Sequence, residues 1–476
     1  MHNALWSITQ QVLRQGLYGV FFIIVSRRIT SAEMGLLGIA TLTTAFLGLF
    51  LDLGFAQALV QKKEITPGHI SSVFALNVAS GLILTILGFL ASWPLSHQTG
   101  MPDAQPIIAA LSFVFLVTAL SSVQTALAQR EMKFKTLAYR DFFASVVSAS
   151  VGIIAAICGW GVWSIVVQNI VHSTMSTIFL WRVAPLKLSI REVRMVHIAE
   201  LWSFGGHIFL YSIFKYFTRN LDSWLVGLLF GPQNLGLYQF AMRFTFGPIR
   251  ALQGGLGSFL FPKASRIQAE ETKLRALYLK AYNLLNYLLI GYAIGLLTLG
   301  PILIPLVFGP QWRPCIPLIY FTTVILVVYP AAVPLGEMLK ACNRPNWLVA
   351  WAIFSAATNC LGLYVGSWFG FEKAVLAYSM TCVLSAPVLA WLVHETIGLK
   401  LTDFVSRVKR GYGALSLLML SMMTLGVLLR EHQWALLAGG SVMLLGFYLL
   451  ASLIDVDLKS LRNMAVKQLT LTLGRV

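Results

Sequence analysis

The sequence is poor in charged residues. Asp, Glu, Lys and Arg make up 11% of the 476 residues, whereas 57% are hydrophobic, and the mean hydropathy is +0.76. Soluble globular domains carry about 25% charged residues, so this composition excludes a soluble globular protein. It predicts an all-α, polytopic membrane protein with no water-soluble domain of its own.

Acidic residues and functional cysteine patterns are also scarce. The 18 Asp and Glu against 35 Lys and Arg give a formal net charge of +17, but the basic residues are spread over many loops, so no nucleic-acid partner is predicted. The five cysteines form no CxxC pair, so we predict neither a disulfide framework nor a metal site. A phosphate-binding glycine loop, an HExxH motif and a long outer loop are all missing. Together these absences predict a transporter without a cofactor rather than an ATPase or another enzyme.

The hydropathy pattern predicts about fourteen membrane-spanning helices, at roughly 20 residues per crossing. They cover residues 6–26, 34–60, 71–93, 106–128, 142–159, 160–181, 203–230, 234–262, 284–308, 315–341, 347–369, 374–396, 412–430 and 434–454. With both termini cytoplasmic, the inner segments hold 25 of the 35 Lys and Arg and the outer loops five. This asymmetry favours that orientation in the inner membrane, because basic residues are retained on the cytoplasmic side. Because the predicted helices span the membrane, membrane lipids are expected to contact the protein.

One stretch, residues 203–262, carries charge inside two apolar segments. Its charged residues are Lys215, Arg219, Asp222, Arg243 and Arg250. At about 100° per residue, the first three fall on one face of the first helix and the last two on one face of the second. A charge near the middle of a span costs between about 2.5 and about 17 kcal/mol, so these residues require water or a partner. Four cations and one carboxylate predict a cationic, water-filled cavity that accepts an anionic substrate.

Other readings of these charges stay open. Asp222 can pair with Arg219 three residues earlier or with Arg243 in the next helix, and Arg250 can extend to the headgroups. Arg14 and Asp52 both lie about 12 Å from the inner ends of their spans, at 1.5 Å per residue. They either form an ion pair that joins the first two helices, or Arg14 faces the cavity and Asp52 adjusts its charge.

Smaller polar patterns predict local structure near the inner side. Glu337 and Lys340 are three residues apart and are expected to pair with each other. Ser189 and Glu192 have capping-box spacing, which predicts a helix that begins there. The amphipathic segments 273–285 and 402–410 are expected to lie as interfacial helices on the inner leaflet.

A weak internal repeat suggests two similar halves. Gly, Leu and Ala recur at the same spacing in residues 33–40 and 234–241, which are 201 positions apart. Because six spans would separate the copies, the halves form a parallel repeat about an axis along the membrane normal. We therefore predict an N-terminal lobe over 1–200, a C-terminal lobe over 201–400 and an appended pair of helices over 401–476, with a central cavity between two six-helix lobes.

The chain resembles the polysaccharide-export branch of the multidrug/oligosaccharidyl-lipid/polysaccharide superfamily, and within it the colanic-acid and O-antigen flippases. The resemblance is carried by Ser26-Arg27-Arg28-Ile29-Thr30 with Glu33 and Gly35, by Leu51-Asp52-Leu53-Gly54 through Ala58-Leu59-Val60-Gln61, and by Asn220-Leu221-Asp222 with Gly236-Leu237-Tyr238 and Arg243-Phe244. It implies alternating access and transport of an undecaprenyl-diphosphate-linked oligosaccharide to the periplasmic leaflet. It also implies that cavity cations bind the diphosphate, for which the candidates are Arg14, Lys215, Arg219, Arg243 and Arg250, with Asp52 and Asp222 as charge partners.

Three rival functions remain. A cation- or drug-extruding antiporter of the same superfamily should have an acidic cavity, and a membrane polysaccharide polymerase or ligase should have a long catalytic outer loop. A membrane scaffold would leave the buried cations unexplained. The expected protein is a monomer, with a polysaccharide polymerase as a possible partner.

Overall fold

The computed structural model describes residues 16–186, 188–399, 421, 437 and 439–444. The side chains of five positions inside helices, 190, 251, 254, 255 and 258, are not included in that description. Arg14, segment 402–410 and most of the predicted thirteenth and fourteenth spans lie outside the described residues.

All regular structure in the described part of the chain is helical. The helices of the first half are Gly16–Ser26 (α1), Ser31–Asp52 (α2), Phe55–Gln61 (α3), Pro67–Gln98 (α4), Gln105–Arg130 (α5), Phe134–Ile157 (α6) and Trp163–Val183 (α7). A long helix, Met195–Arg266 (α8), is interrupted at Gly231, where φ is 77°. After it come Glu271–Phe308 (α9), Ile316–Thr323 (α10), Tyr329–Ala341 (α11), Pro345–Ser367 (α12), Phe371–Leu384 (α13) and Ala386–Ile397 (α14). The predicted all-α fold is confirmed.

The first twelve predicted spans each fall on one of these helices or on a consecutive pair. Within the described residues, seven helices are long and apolar enough to cross a membrane, or eight if the pair 310–327 and 329–341, bent by 46°, is one span. Helix α8 is not among them, as expected for a helix that carries several charges along its length.

The chain consists of two compact units, and the boundary between them falls inside α8. The first comprises Met1–Leu237 and the second Tyr238–Val476. The lobe boundaries predicted at 200 and 400 stay predictions.

Small residues bring neighbouring helices of each unit close together. In the second unit, a Cβ on Gly362 would lie 2.5 Å from Thr381 Cγ2, and one on Gly366 would lie 2.7 Å from Ala374 Cα. This GxxxG spacing puts both glycines on one face of α12. Because lipid tails are as apolar as the side chains they touch, helix association depends on such close packing rather than on water exclusion.

Two predictions for the inner segments are wrong. The segment that contains Ser189 forms only a short 3-10 turn, Ile190–Glu192, and α8 begins at Met195. The amides of Ser189 and Arg194 instead donate to the hydroxyls of Ser71 and Ser72 at 3.2 and 3.0 Å, which keeps this segment against α4. Segment 273–285 forms the first turns of α9, because its apolar side chains, Tyr278 among them, pack into the core of the second unit.

Candidate functional site

The charged face of α8 in the first unit points away from the helix against which α8 packs. Tyr216 is buried, and its hydroxyl donates to the Leu42 carbonyl of α2 at 2.7 Å while accepting a hydrogen bond from Trp224 Nε1 at 2.8 Å. Lys215 and Arg219 are exposed. At about 100° per residue, both cations lie about 160° around the helix from Phe217, whose ring contacts that of Phe46 in α2, so they face away from α2.

An aromatic contact zone fixes this rotation of α8. The Phe46 ring of α2 lies 5.5 Å from the Tyr216 ring and 5.7 Å from the Phe217 ring, measured between centroids. One turn further along, Phe50 and Phe209 are 5.2 Å apart. Aromatic pairs of this kind contribute about 0.5–1.5 kcal/mol each beyond area burial, so rotating α8 about its axis would lose several of them.

The two cations of this face have no carboxylate partner among the described residues. Lys215 Nζ lies 5.9 Å from the centre of the Tyr211 ring, a cation–π contact. The pairing of Asp222 with Arg219 stays a prediction, as does its pairing with Arg243. An anionic ligand or water is therefore needed to compensate the charge of Lys215 and Arg219.

The second unit has a charged helix face on residues 238–266. Arg243 is half-buried, and Gly247 and Arg250 are exposed on the same side. On the opposite side, the Thr245 hydroxyl donates to Thr322 Oγ1 at 2.8 Å and Ile249 is buried in the core. The predicted alignment of Arg243 and Arg250 on one helix face agrees with this burial pattern. Whether they bind substrate stays a prediction.

Gly257, further along α8, lies close to the carboxylate of Glu337. A Cβ on Gly257 would lie 3.3 Å from Glu337 Oε1. Glu337 forms the predicted ion pair with Lys340, with 2.9 Å between Oε1 and Nζ, and that prediction is confirmed. The carboxylate is thus matched by a cation on its own helix.

Asp52 stabilises a corner between two helices. Its two carboxylate oxygens accept from the Ala56 amide at 3.0 Å, and one accepts from Asn77 Nδ2 at 3.1 Å. Leu53 and Gly54 both have positive φ, so the carboxylate satisfies an amide at the start of α3 immediately after the chain turns. The predicted ion pair with Arg14 falls outside the described residues and stays a prediction. The sequence analysis predicted one continuous span over 34–60 and did not predict the break between α2 and α3, although Leu53-Gly54 marks it in the sequence.

The two repeat-related glycines are in direct contact. A Cβ on Gly35 would lie 1.7 Å from the Pro232 carbonyl oxygen, and one on Gly236 would lie 1.8 Å from the Ser31 carbonyl oxygen. Gly236 is 201 positions after Gly35, which is the offset of the repeat. All four residues of these two contacts lie in the first compact unit, and the internal repeat itself stays a prediction.

A polar cluster near the beginning of α8 was not predicted. Glu200 forms an ion pair with Lys62, and His69 Nε2 lies 3.0 Å from Glu200 Oε2. Hydrogen bonds from Lys62 and His69 lower the pKa of the Glu200 carboxyl to about 2. His69 and Glu200 are 131 positions apart, so no local spacing could have revealed the cluster.

Known families and curated proteins resemble this chain over most of its length. A family model described as polysaccharide biosynthesis protein matches residues 24–317. The lipopolysaccharide biosynthesis protein WzxC of Escherichia coli is 25% identical over 76% of this chain and 74% of its own length. The teichuronic acid biosynthesis protein TuaB of Bacillus subtilis is 22% identical over 87% and 86%, and the succinoglycan biosynthesis transport protein ExoT of Rhizobium meliloti is 23% identical over 83% and 80%.

Solved structures share the fold at low sequence identity. The lipid II flippase MurJ in an inward closed conformation has a TM-score of 0.71 at 15% identity, over 96% of this chain and 99% of that one. An inward-facing multidrug transporter of the MATE family, from the same MOP superfamily, has a TM-score of 0.65 at 15% identity, over 82% and 98%. These likenesses show that the chain has the all-helical fold of MOP superfamily transporters.

Proposed function

Because this chain belongs to the polysaccharide biosynthesis protein family, we propose that it is a flippase for a lipid-linked oligosaccharide. Its substrate is an oligosaccharide attached to undecaprenyl diphosphate, and it moves from the cytoplasmic to the periplasmic leaflet by alternating access. The relatives named for lipopolysaccharide and succinoglycan biosynthesis support a role in making surface polysaccharide. The observation that carries the proposal is the cationic face of α8, where Lys215 and Arg219 are exposed without a described carboxylate partner.

The substrate diphosphate explains why these cations are kept. It brings about two negative charges, and guanidinium groups bind phosphate oxygens through charge-assisted, often bidentate hydrogen bonds. When the diphosphate binds, its negative charges and the bound cations offset each other. This reduces the cost of several kcal/mol that an uncompensated cation has within a membrane. In this proposal the diphosphate-binding residues are Arg14, Lys215, Arg219, Arg243 and Arg250, while Asp52 and Asp222 adjust the local charge.

The membrane arrangement follows the charge distribution. The inner segments hold 25 Lys and Arg and the outer loops five, which favours cytoplasmic termini; the proposed location is the inner membrane. The proposed lobes are residues 1–200 and 201–400, and residues 401–476 form the appended pair of spans and the tail. The protein acts as a monomer without enzymatic activity or a cofactor, and it delivers substrate to a polysaccharide polymerase.

The second candidate is a MATE-like cation or drug antiporter, which the TM-score of 0.65 to such a transporter favours. A cationic substrate requires carboxylates at the binding site, because opposite charges offset the cost of burial. The exposed charged residues of α8 between 203 and 250 are Lys215, Arg219 and Arg250. This excess of positive charge supports the flippase over the antiporter.

A matched pair of lysines tests the proposal. Lys215 and Lys263 are both exposed on α8 and each lies over the aromatic ring four residues before it, at 5.9 and 5.1 Å. Only Lys215 falls inside a predicted span. We expect Lys215→Ala to reduce surface-polysaccharide export and to cause lipid-linked oligosaccharide to accumulate on the inner leaflet, whereas Lys263→Ala leaves both unchanged at equal protein levels. Equal export by the two variants would contradict the assignment of Lys215 to the substrate site.

A further inference from the structure

Two histidines and one glutamate lie together at the beginnings of α4 and α8, apart from the charged faces described above. One ring nitrogen of His69, one of His197 and one carboxylate oxygen of Glu200 lie within 4.8 Å of one another. Within the described ranges, no other group of three or more His, Cys, Asp or Glu side chains has this spacing. We propose that His69, His197 and Glu200 form a binding site for a divalent transition metal ion of the zinc class.

The donor set and its spacing fit such an ion. Imidazole nitrogen and carboxylate oxygen are common zinc ligands, and two histidines with one glutamate leave a fourth position open. Ligands about 2.1 Å from a tetrahedral zinc ion lie about 3.4 Å from each other. His69 Nε2 and Glu200 Oε2 are 3.0 Å apart, so a shift of a few tenths of an ångström would let both bind one ion.

The surroundings of the histidines hold them in position for ligation. The Thr66 hydroxyl lies 2.7 Å from His69 Nδ1 and would accept the proton of that nitrogen once Nε2 binds the metal. Gly68 provides room for the second ring, since a Cβ there would lie 2.4 Å from His197 Nε2. The two imidazole centroids are only 4.6 Å apart.

His197 has a buried nitrogen that lacks a hydrogen bond. Its Nδ1 has no partner in the described structure. Burying a polar group without a partner costs free energy, and most such groups in proteins are satisfied. Coordination of a metal by this nitrogen would remove that cost.

A lysine lies beside the carboxylate of the proposed site. Lys62 Nζ contacts Glu200 Oε2, the same oxygen that faces His69. The Thr66 amide, 3.2 Å from His69 Nδ1, donates to that nitrogen, so Nε2 carries the proton and donates to Glu200. A metal ion therefore competes with the Lys62 ammonium and shifts the His69 proton to Nδ1. A bound metal would join the beginning of α4 to the beginning of α8 by coordination bonds.

Cobalt titration of the full chain purified in detergent tests this proposal. We expect the wild-type protein to bind one equivalent of Co²⁺ with the visible absorption of a tetrahedral nitrogen and oxygen site, and Zn²⁺ to displace it. His197→Ala and Glu200→Gln should each raise the Kd for Co²⁺ at least about tenfold. Lys62→Met should lower the Kd, because it removes the competing ammonium. His207→Gln is the matched control, an exposed histidine of the same helix outside the cluster, and should bind as the wild type does.

Three results would overturn the proposal. They are the absence of stoichiometric binding by the wild type, equal affinity in His197→Ala and His207→Gln, and a cobalt–thiolate charge-transfer band that places the ion on a cysteine. The flippase proposal does not depend on this outcome, since the export of Lys215→Ala is measured independently of any metal.

Discussion

The contact between Gly35 and Gly236 makes a sharp prediction about stability. In Gly236→Ala the new Cβ would lie 1.8 Å from the Ser31 carbonyl oxygen and 2.9 Å from the Gly35 amide nitrogen. An ordinary contact between these atom types is about 3.4 Å, so the two backbones must separate by about 1.6 Å. Both contacting groups are backbone atoms, and no change of side-chain rotamer can relieve the overlap.

The expected cost follows from how tightly packed interiors respond to added atoms. Inserting a methylene into such a contact costs about 1–3 kcal/mol, and sometimes more. The matched control is Gly247→Ala on the same long helix, where a new Cβ meets no atom within 4 Å. In a helix, alanine is favoured over glycine by about 0.8–1.0 kcal/mol, so this control should be neutral or slightly stabilised.

Thermal unfolding of the two purified variants in the same detergent measures the difference. We expect the midpoint of Gly236→Ala to fall below that of the wild type and the midpoint of Gly247→Ala to stay equal or rise. Gly35→Ala should behave like Gly236→Ala, since its Cβ would lie 1.7 Å from the Pro232 carbonyl oxygen. Midpoints for Gly236→Ala and Gly247→Ala that agree within error would refute the close backbone approach.

The remaining predictions concern three polar side chains. Asp52→Ala removes the acceptor of one amide and one side-chain amide, so it should destabilise the protein by about 1–3 kcal/mol, whereas Ala at the exposed Asp103 should not change the unfolding midpoint. Tyr216→Phe removes a buried hydroxyl with two hydrogen bonds and should cost about 0.5–1.5 kcal/mol per bond, while Tyr211→Phe, at an exposed position, serves as the control. Thr30→Ala removes the capping box of α2 and should lower stability by about 0.5–2 kcal/mol, a loss that Thr30→Ser should largely restore.

Much of the fold follows from local sequence patterns. The apolar segments predict where the first twelve spans lie, because the length of an apolar run and the bilayer thickness are matched. The placement of Lys215 and Arg219 on one face follows from the helical period alone. The ion pair of Glu337 and Lys340 was predictable for the same reason, since residues three apart on a helix are neighbours.

Other features required residues that are distant in sequence. Asp52 accepts from Asn77, 25 positions later, and Ser189 does not begin a helix because Ser71 binds its amide, 118 positions earlier. Segment 273–285 is amphipathic by pattern, yet its apolar side chains pack against buried residues of α11 and α14. A pattern identifies an apolar face, but it does not distinguish lipid from protein as the surface that covers it.

By itself, the sequence determined the membrane class, the helices and the side of each helix that carries charge, since hydropathy and helical period are properties of a short segment. Only the tertiary structure decided what each face touches. The rotation of α8 against Phe46 and Phe50, the contact of Gly35 with Gly236, and the meeting of His69 with Glu200 all join residues more than a hundred positions apart. Such contacts depend on how whole helices pack against one another, and no local pattern encodes that arrangement.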